Sequence, residues 1–246
     1  MKTVLLAILA ITTSVSALYA QFASPQQGQT AGQISLGARG NWVVGFHDPK
    51  LLGEWIKPDI TFDGEPAHYV SHGRTLSAGG TIFTSYALNS TMAIQLEFNF
   101  IDQGYDLRFT NPDNRSAVVD VSYPTVDIPV LFRYNFSKTR ALMGVQIGPH
   151  ISIPVGRLHI DESWSATPDY RWDERYGWEG SIHTDATFGF TAGMYLGIPV
   201  FRFGRIVGDV RYINDFNSAK IQDKGTTVAF ITRRALIFGL GYEFSF

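Results

Sequence analysis

Cysteine is absent from the 246 residues. That removes disulfides, thiolate metal sites and the lipidated cysteine of a lipoprotein, so packing and backbone pairing alone must hold the chain. Beyond the first twenty residues there is also no apolar run near the ~18 residues of a membrane helix. Neither sign of charge dominates, with 20 Lys and Arg against 22 Asp and Glu, and such balance leaves no footprint for nucleic acid. No Walker-type or dinucleotide glycine pattern follows a strand and opens a helix, so no cofactor is expected. Glycine and aromatics are plentiful, at 24 residues and 14% of the chain, and the glycines read as bends and close packing in a β protein.

The two ends carry strong local signals. Lys2, the apolar run Val4 to Ile11 and the small-residue site Leu18-Tyr19-Ala20 read as a signal peptide over residues 1–20. A polar periplasmic lead-in follows over 21–31, and 32–246 is expected to form one barrel domain. From Ala235 to Phe246 every even position is bulky and apolar: Leu236, Phe238, Leu240, Tyr242, Phe244 and Phe246. The odd positions after Ile237 are Gly239, Gly241, Glu243 and Ser245. A period of two is a strand's period, and about ten residues let a tilted strand cross a bilayer. A chain stopping on such a strand resembles the C-terminal signature of outer-membrane β-barrels. The resemblance makes Tyr242, Phe244 and Phe246 an assembly signal, read by the barrel-assembly machinery through strand addition to an open sheet edge.

Seven further stretches alternate in the same way. Ile34, Leu36, Ala38, Trp42, Val44 and Phe46 oppose Ser35, Gly37, Arg39 and Asn41. A stretch from Leu76 to Leu88 is weaker, because Thr84 interrupts its apolar face. Met92 to Phe100 sets apolar even positions against Gln95, Glu97 and Asn99, and Val126 to Phe136 does the same against Asp127, Arg133 and Asn135. Met143 to Ile153 opposes Gly144, Gln146, Gly148, His150 and Ser152, while Phe188 to Ile198 opposes glycines, threonines and Tyr195. Ile206, Val210 and Tyr212 face away from Asp209 and Arg211. Eight strands is the even count of a single-chain bacterial barrel.

The connections are unequal in an ordered way. Asn89-Ser90, Ser137 to Arg140 and the Phe203-Gly204-Arg205 corner are short; His47 to Thr75, Asp102 to Asp120, Gly156 to Ala186 and Asn217 to Thr232 are long. Tight turns at one rim and long loops at the other are the periplasmic and extracellular ends of an outer-membrane barrel, which places both termini on the periplasmic side. A soluble lipocalin-like barrel has the same alternation with its faces reversed. Its solvent face would be rich in Lys and Glu, whereas the polar face here is glycine and small hydroxyls with isolated charges. Aromatics also gather at the strand ends, Tyr134, Phe136, Phe201, Phe203, Phe244 and Phe246 toward one rim and Trp42, Phe46, Tyr123 and Tyr212 toward the other, as two membrane interfaces select. The expected fold is all-β, an eight-stranded antiparallel up-and-down transmembrane β-barrel.

The run Val126-Asp127-Ile128-Pro129-Val130-Leu131-Phe132-Arg133-Tyr134-Asn135-Phe136, then a short basic turn and Ala141 to Pro149 with its Gly144-x-x-x-Gly148-Pro149, resembles the PorT-like outer-membrane β-barrel family of Bacteroidetes. The likeness extends more loosely to Gly37-x-x-Gly40 and the last strand, covering most of the barrel but not the loops. It implies a bacterial outer-membrane location and contact with outer-membrane lipid. Because the founding member takes part in type IX secretion, it also implies the alternative of a secretion component. Fold does not fix function here.

The lumen face carries the clearest constellation: Arg39, Glu97, Asp127, Arg133, Asp209, Arg211 and Glu243. An eight-stranded barrel is just wide enough for side chains to fill, so these charges must pair or suffer desolvation. Counted from the short-turn rim, Arg39, Glu97 and Arg211 fall at similar heights, and Arg133, Asp209 and Glu243 lower. A filled lumen argues against an open porin and leaves a narrow passive channel as a minor reading. His150-Ile151-Ser152 resembles the His-x-Ser pair of outer-membrane lipid A deacylases, but alternation sends it inward and Ile153-Pro154 replaces the Asn expected next, so no catalytic residue is assigned. His68 and His72 would share a metal only on a helix, so no metal is assigned. The third long loop interleaves Trp164, Tyr170, Trp172, Tyr176 and Trp178 with Arg171 and Arg175. These rings either pack among themselves, as a hairpin extending the flanking strands, or contact a protein or glycan partner.

Overall fold

Alternation becomes strand at all eight places where the sequence shows it. The computed structural model describes residues 29–46, 61–62, 65–66, 68–72, 76–110, 116–137, 141–155, 159–164, 186–201, 204–223 and 226–246. The signal peptide, most of the lead-in and the loop residues Tyr170, Arg171, Trp172, Arg175, Tyr176 and Trp178 lie outside the described residues. In chain order the strands are β1 (Ile34–Gly45), β2 (Thr61–Phe62), β3 (Glu65–Pro66), β4 (His68–His72), β5 (Leu76–Ala87), β6 (Met92–Thr110) and β7 (Ser116–Asn135). They continue as β8 (Leu142–Pro154), β9 (His159–Trp164), β10 (Thr187–Phe201), β11 (Gly204–Asp215), β12 (Ala219–Asp223), β13 (Thr226–Ile231) and β14 (Arg234–Ser245).

Eight of these close a ring in the order β6, β5, β1, β14, β11, β10, β8, β7 and back to β6, each pair antiparallel. The first and last strands meet in an unbroken register from Ser35 opposite Ser245 to Gly45 opposite Ala235. Closure leaves no free edge within the ring, the condition for crossing a bilayer with strands. At the short-turn rim Gln29 donates from Nε2 to the carbonyls of Asn89 (3.1 Å) and Met92 (3.0 Å), tying the end of the lead-in beneath the β5–β6 turn.

Burial inverts that of a soluble barrel. Glu97, Asn99, Asp127 and Arg211 are wholly buried, while Trp42, Phe100, Ile147, Phe188 and Leu240 are all more than half exposed. Apolar rings outside and ionised groups inside is the arrangement that a hydrocarbon surround requires. Thr84, the break in the apolar face of β5, bonds through its hydroxyl to the Ser35 carbonyl (3.2 Å), so its polar atom is satisfied on the outer face. Tyr123 departs from expectation: it shares the parity of Asp127 on β7, is 3% exposed, and donates to Gln103 Oε1 rather than joining the outer aromatic belt. The long-loop side of the belt instead gathers Phe190, which packs edge-on to Tyr212 (6.3 Å) and stacks on Phe216 (5.8 Å).

The connection from Asp102 to Asp120, expected as a loop, is mostly strand. β6 and β7 run on beyond the apolar belt, paired from Met92 opposite Tyr134 to Thr110 opposite Ser116. Alternation persists there on the inner parity, with Leu107, Phe109, Ala117 and Val119 buried. Charges such as Asp102 and Arg108 obscured it because outside the membrane the outer face meets water. β4 adds to β6 and β9 to β7, giving a four-stranded sheet β4-β6-β7-β9 that stands above the barrel. The fourth long connection likewise contains the hairpin β12–β13.

Candidate functional site in the barrel lumen

Inward parity on five strands, β1, β6, β7, β11 and β14, assembles the lumen charges, and the structure sorts them into three tiers. In the middle tier Glu97 on β6 receives Arg39 from β1, Arg211 from β11 and the amide of Gln95. Asp209 Oδ2 accepts from Arg39 Nη1 at 3.0 Å and Gln146 Nε2 at 2.9 Å. Arg211 Nε lies 2.7 Å from the same oxygen in a geometry that makes the contact ionic rather than a hydrogen bond. Asp209 thus joins Arg39, Glu97 and Arg211, not the lower group in which counting along the strand places it. Arg211 and Asp209 are two apart on one face of β11, and a long arginine stem spans that step easily. Arg39 also stacks on the Phe83 ring at 4.7 Å.

Glycine makes room for these side chains. A Cβ on Gly239 would overlap Asp209 Oδ1, and one on Gly193 would approach Arg211 Cγ to 2.8 Å. The lower tier sets Arg133 over the Tyr195 ring at 4.0 Å, with Glu243 3.7 Å from Arg133 and 3.8 Å from Arg205. Arg133 also donates to Gln95 Oε1 at 2.6 Å, which links this tier to the middle one.

The upper tier centres on a residue outside every expected strand. Arg233 donates from Nη1 to both Asp127 oxygens (2.6 and 2.8 Å) and from Nη2 and Nε to Asp215 Oδ1 (3.1 and 3.2 Å). His150 Nε2 lies 2.7 Å from Asp215 Oδ1 and Nδ1 3.2 Å from the Thr191 hydroxyl, so His150 engages Thr191 and not Ser152. An apolar layer of Val43, Ile101, Ile213, Ala235 and Ile237 fills the lumen beside these ionic tiers. Sequence reading did not mark Arg233, Asp215, Arg205, Gln95 or Gln146 as part of the constellation. The signal for the first two was one more step of alternation: Arg233 continues the odd parity of Ala235 and Ile237, and Asp215 that of Asp209, Arg211 and Ile213.

Of the other candidates, His68 and His72 lie on strand β4, where four residues span roughly 13 Å, too far for one metal ion. Trp164 ends β9, its backbone opposite Ala117. Phe244 and Phe246 stand on the outer face, 51% and 76% exposed, with Tyr242 edge-on to Phe244 at 4.6 Å.

Known proteins bear on this architecture. The crystal structure of the outer membrane protein OprG from Pseudomonas aeruginosa matches with a TM-score of 0.54 at 12% identity, covering 90% of this chain and 99% of that one. Neisserial surface protein A matches at 11% identity over 87% of this chain and 99% of its own, with a TM-score of 0.43. No curated protein matches the chain. The OprG likeness shows a shared fold. The family described as "Outer membrane protein beta-barrel domain" matches residues 19–219. The chain therefore belongs to that family of bacterial outer membrane proteins.

Proposed function

We propose that this protein is a non-enzymatic outer-membrane barrel of the PorT-like kind found in Bacteroidetes, with a structural or surface-interaction role exerted through its extracellular loops. The observation that carries this reading is the division of labour along the barrel axis. The lumen is filled by Arg39, Glu97, Asp209 and Arg211 held to one another, while the sheet β4-β6-β7-β9 projects ordered backbone beyond the apolar belt. A filled lumen supports a scaffold rather than a pore, and rigid projecting strands support presentation of loops to a protein or glycan. The barrel ring itself contacts outer-membrane lipid.

Two experiments test this. Reconstituted in planar bilayers, the barrel should give no steady ion steps; regular steps would favour a narrow channel. Deleting the gene and comparing secreted and surface-attached proteomes with the parent should leave secretion intact. Collective trapping of cargo in the periplasm would instead favour the secretion-machine reading that the Val126 to Pro149 resemblance suggests.

A further inference from the structure

Outward positions along the closed ring are apolar or small almost throughout, as contact with lipid tails requires. Arg234 is the exception on the last strand, where β14 leaves the apolar belt at the long-loop rim. It shares the parity of Leu236, Phe238 and Leu240 and is exposed on the outer face. Among the described residues no hydrogen bond or ion pair engages its guanidinium. The other outward charge described on the ring ladders, Asp102 on β6, lies three strands away, roughly 14 Å at sheet spacing.

The surroundings of Arg234 fall into two chemical levels. Directly opposite it on β11 stands Asn214, and side chains so placed start about 5 Å apart. Asn214 gives one amide hydrogen to the Asp215 carbonyl (3.3 Å) and keeps its second. On the other flank the Phe46 amide bonds the Arg234 carbonyl (2.7 Å), which pins the backbone where the belt ends. One step toward the membrane the same two strands turn apolar, with Tyr212 opposite Leu236 and Val210 opposite Phe238. Val210 and Phe238 are 38% and 39% exposed, and Phe190, edge-on to Tyr212 and stacked on Phe216, walls one side of this track.

Free donors above an exposed apolar track match an anion that carries a hydrocarbon tail. Phosphate is the anion at this depth in a bilayer, and a guanidinium binds it with two parallel N–H donors. We propose that Arg234 and Asn214 hold the phosphate of an outer-leaflet lipid, with an acyl chain lying along Leu236 and Phe238. This rests on the reading that the ring contacts outer-membrane lipid, and it names the headgroup chemistry and the place. It does not depend on the loops having a partner.

The test uses the refolded mature barrel in dodecyl maltoside, an uncharged detergent without phosphate. With dioleoylphosphatidic acid about tenfold above its dissociation constant, Tm should rise by roughly 3–6 °C. Dioleoylglycerol, the same lipid without its phosphate, and inorganic phosphate should each give little rise. Arg234→Gln should lose most of the rise, Asn214→Ala part of it, and Arg234→Lys should recover some. Arg108→Gln, which removes an exposed cation above the ring, should keep it all. No rise with phosphatidic acid would overturn the proposal, as would a full rise in Arg234→Gln, an equal loss in Arg108→Gln, or an equal rise with dioleoylglycerol or inorganic phosphate. Flotation with phosphatidylcholine liposomes checks the underlying reading separately. A barrel that floats but shows no phosphatidic acid shift sinks this inference alone, whereas one that does not float sinks both.

Discussion

At the scale of single residues, two kinds of position carry the lumen: charges whose partners are fixed, and glycines that leave space for them. Arg211 is wholly buried and faces both Glu97 and Asp209, so Arg211→Leu strands two carboxylates on one guanidinium, that of Arg39. Removing one member of a buried ionic group costs about 3–5 kcal/mol, and the variant should show a lowered urea midpoint in detergent; an unchanged midpoint would refute the pairing. Gly239→Ala puts a methyl into Asp209 Oδ1, and overpacking of this kind costs about 1–3 kcal/mol. The same titration on that variant should show a smaller fall than Arg211→Leu. Thr84 offers the contrast. Its hydroxyl bonds one carbonyl on the apolar face, a contact worth about 1 kcal/mol, and Thr84→Val exchanges it for an apolar group in an apolar setting. Thr84→Val should leave the midpoint nearly unmoved.

At the scale of elements, period-two alternation made the eight ring strands readable, because a barrel wall has one apolar and one polar face along every crossing. β1 and β14 were legible almost residue for residue, and Leu76 to Leu88 was recognisable despite Thr84. The pattern weakened where the surroundings change. Above the belt both faces of β6 and β7 meet protein or water, so Asp102 and Arg108 resembled a loop although Leu107 and Phe109 kept the inner parity. Alternation also shows which face a charge occupies but not which charge it reaches. Arginine stems span neighbouring heights, which is how Asp209 came to sit with Arg39 and Arg233 to reach Asp127. The extended hairpin should therefore be separable from the ring. Replacing residues 104–122 by a short turn removes the outer part of β6–β7 and the strands' pairing with β4 and β9, while the ring ladders up to Asp102 opposite Pro124 remain. This variant should still refold to a heat-modifiable barrel. Failure to refold would mean that the projecting sheet is needed to close the ring.

At the scale of the whole molecule, folding and delivery make different demands on the last strand. Phe246 donates its amide to the Ile34 carbonyl (2.9 Å) but leaves its ring 76% exposed. Phe246→Ala should change the unfolding free energy of the refolded protein in urea by less than about 1 kcal/mol while lowering its level in the outer membrane of cells. Equal losses in both measurements would make the ring a packing residue and not an assembly signal. The middle tier has a consequence for the order of events. Arg39 stands on the first strand and Asp209 on the seventh of the ring, 170 residues apart, and Glu97 lies 58 residues from one arginine and 114 from the other. Local zippering of hairpins cannot complete this circuit, which forms only when β1 and β14 come together. A half-rolled sheet would hold a bare guanidinium against hydrocarbon, so insertion has no comfortable halfway house: the final seam works as a clasp, and the charges inside are what it fastens.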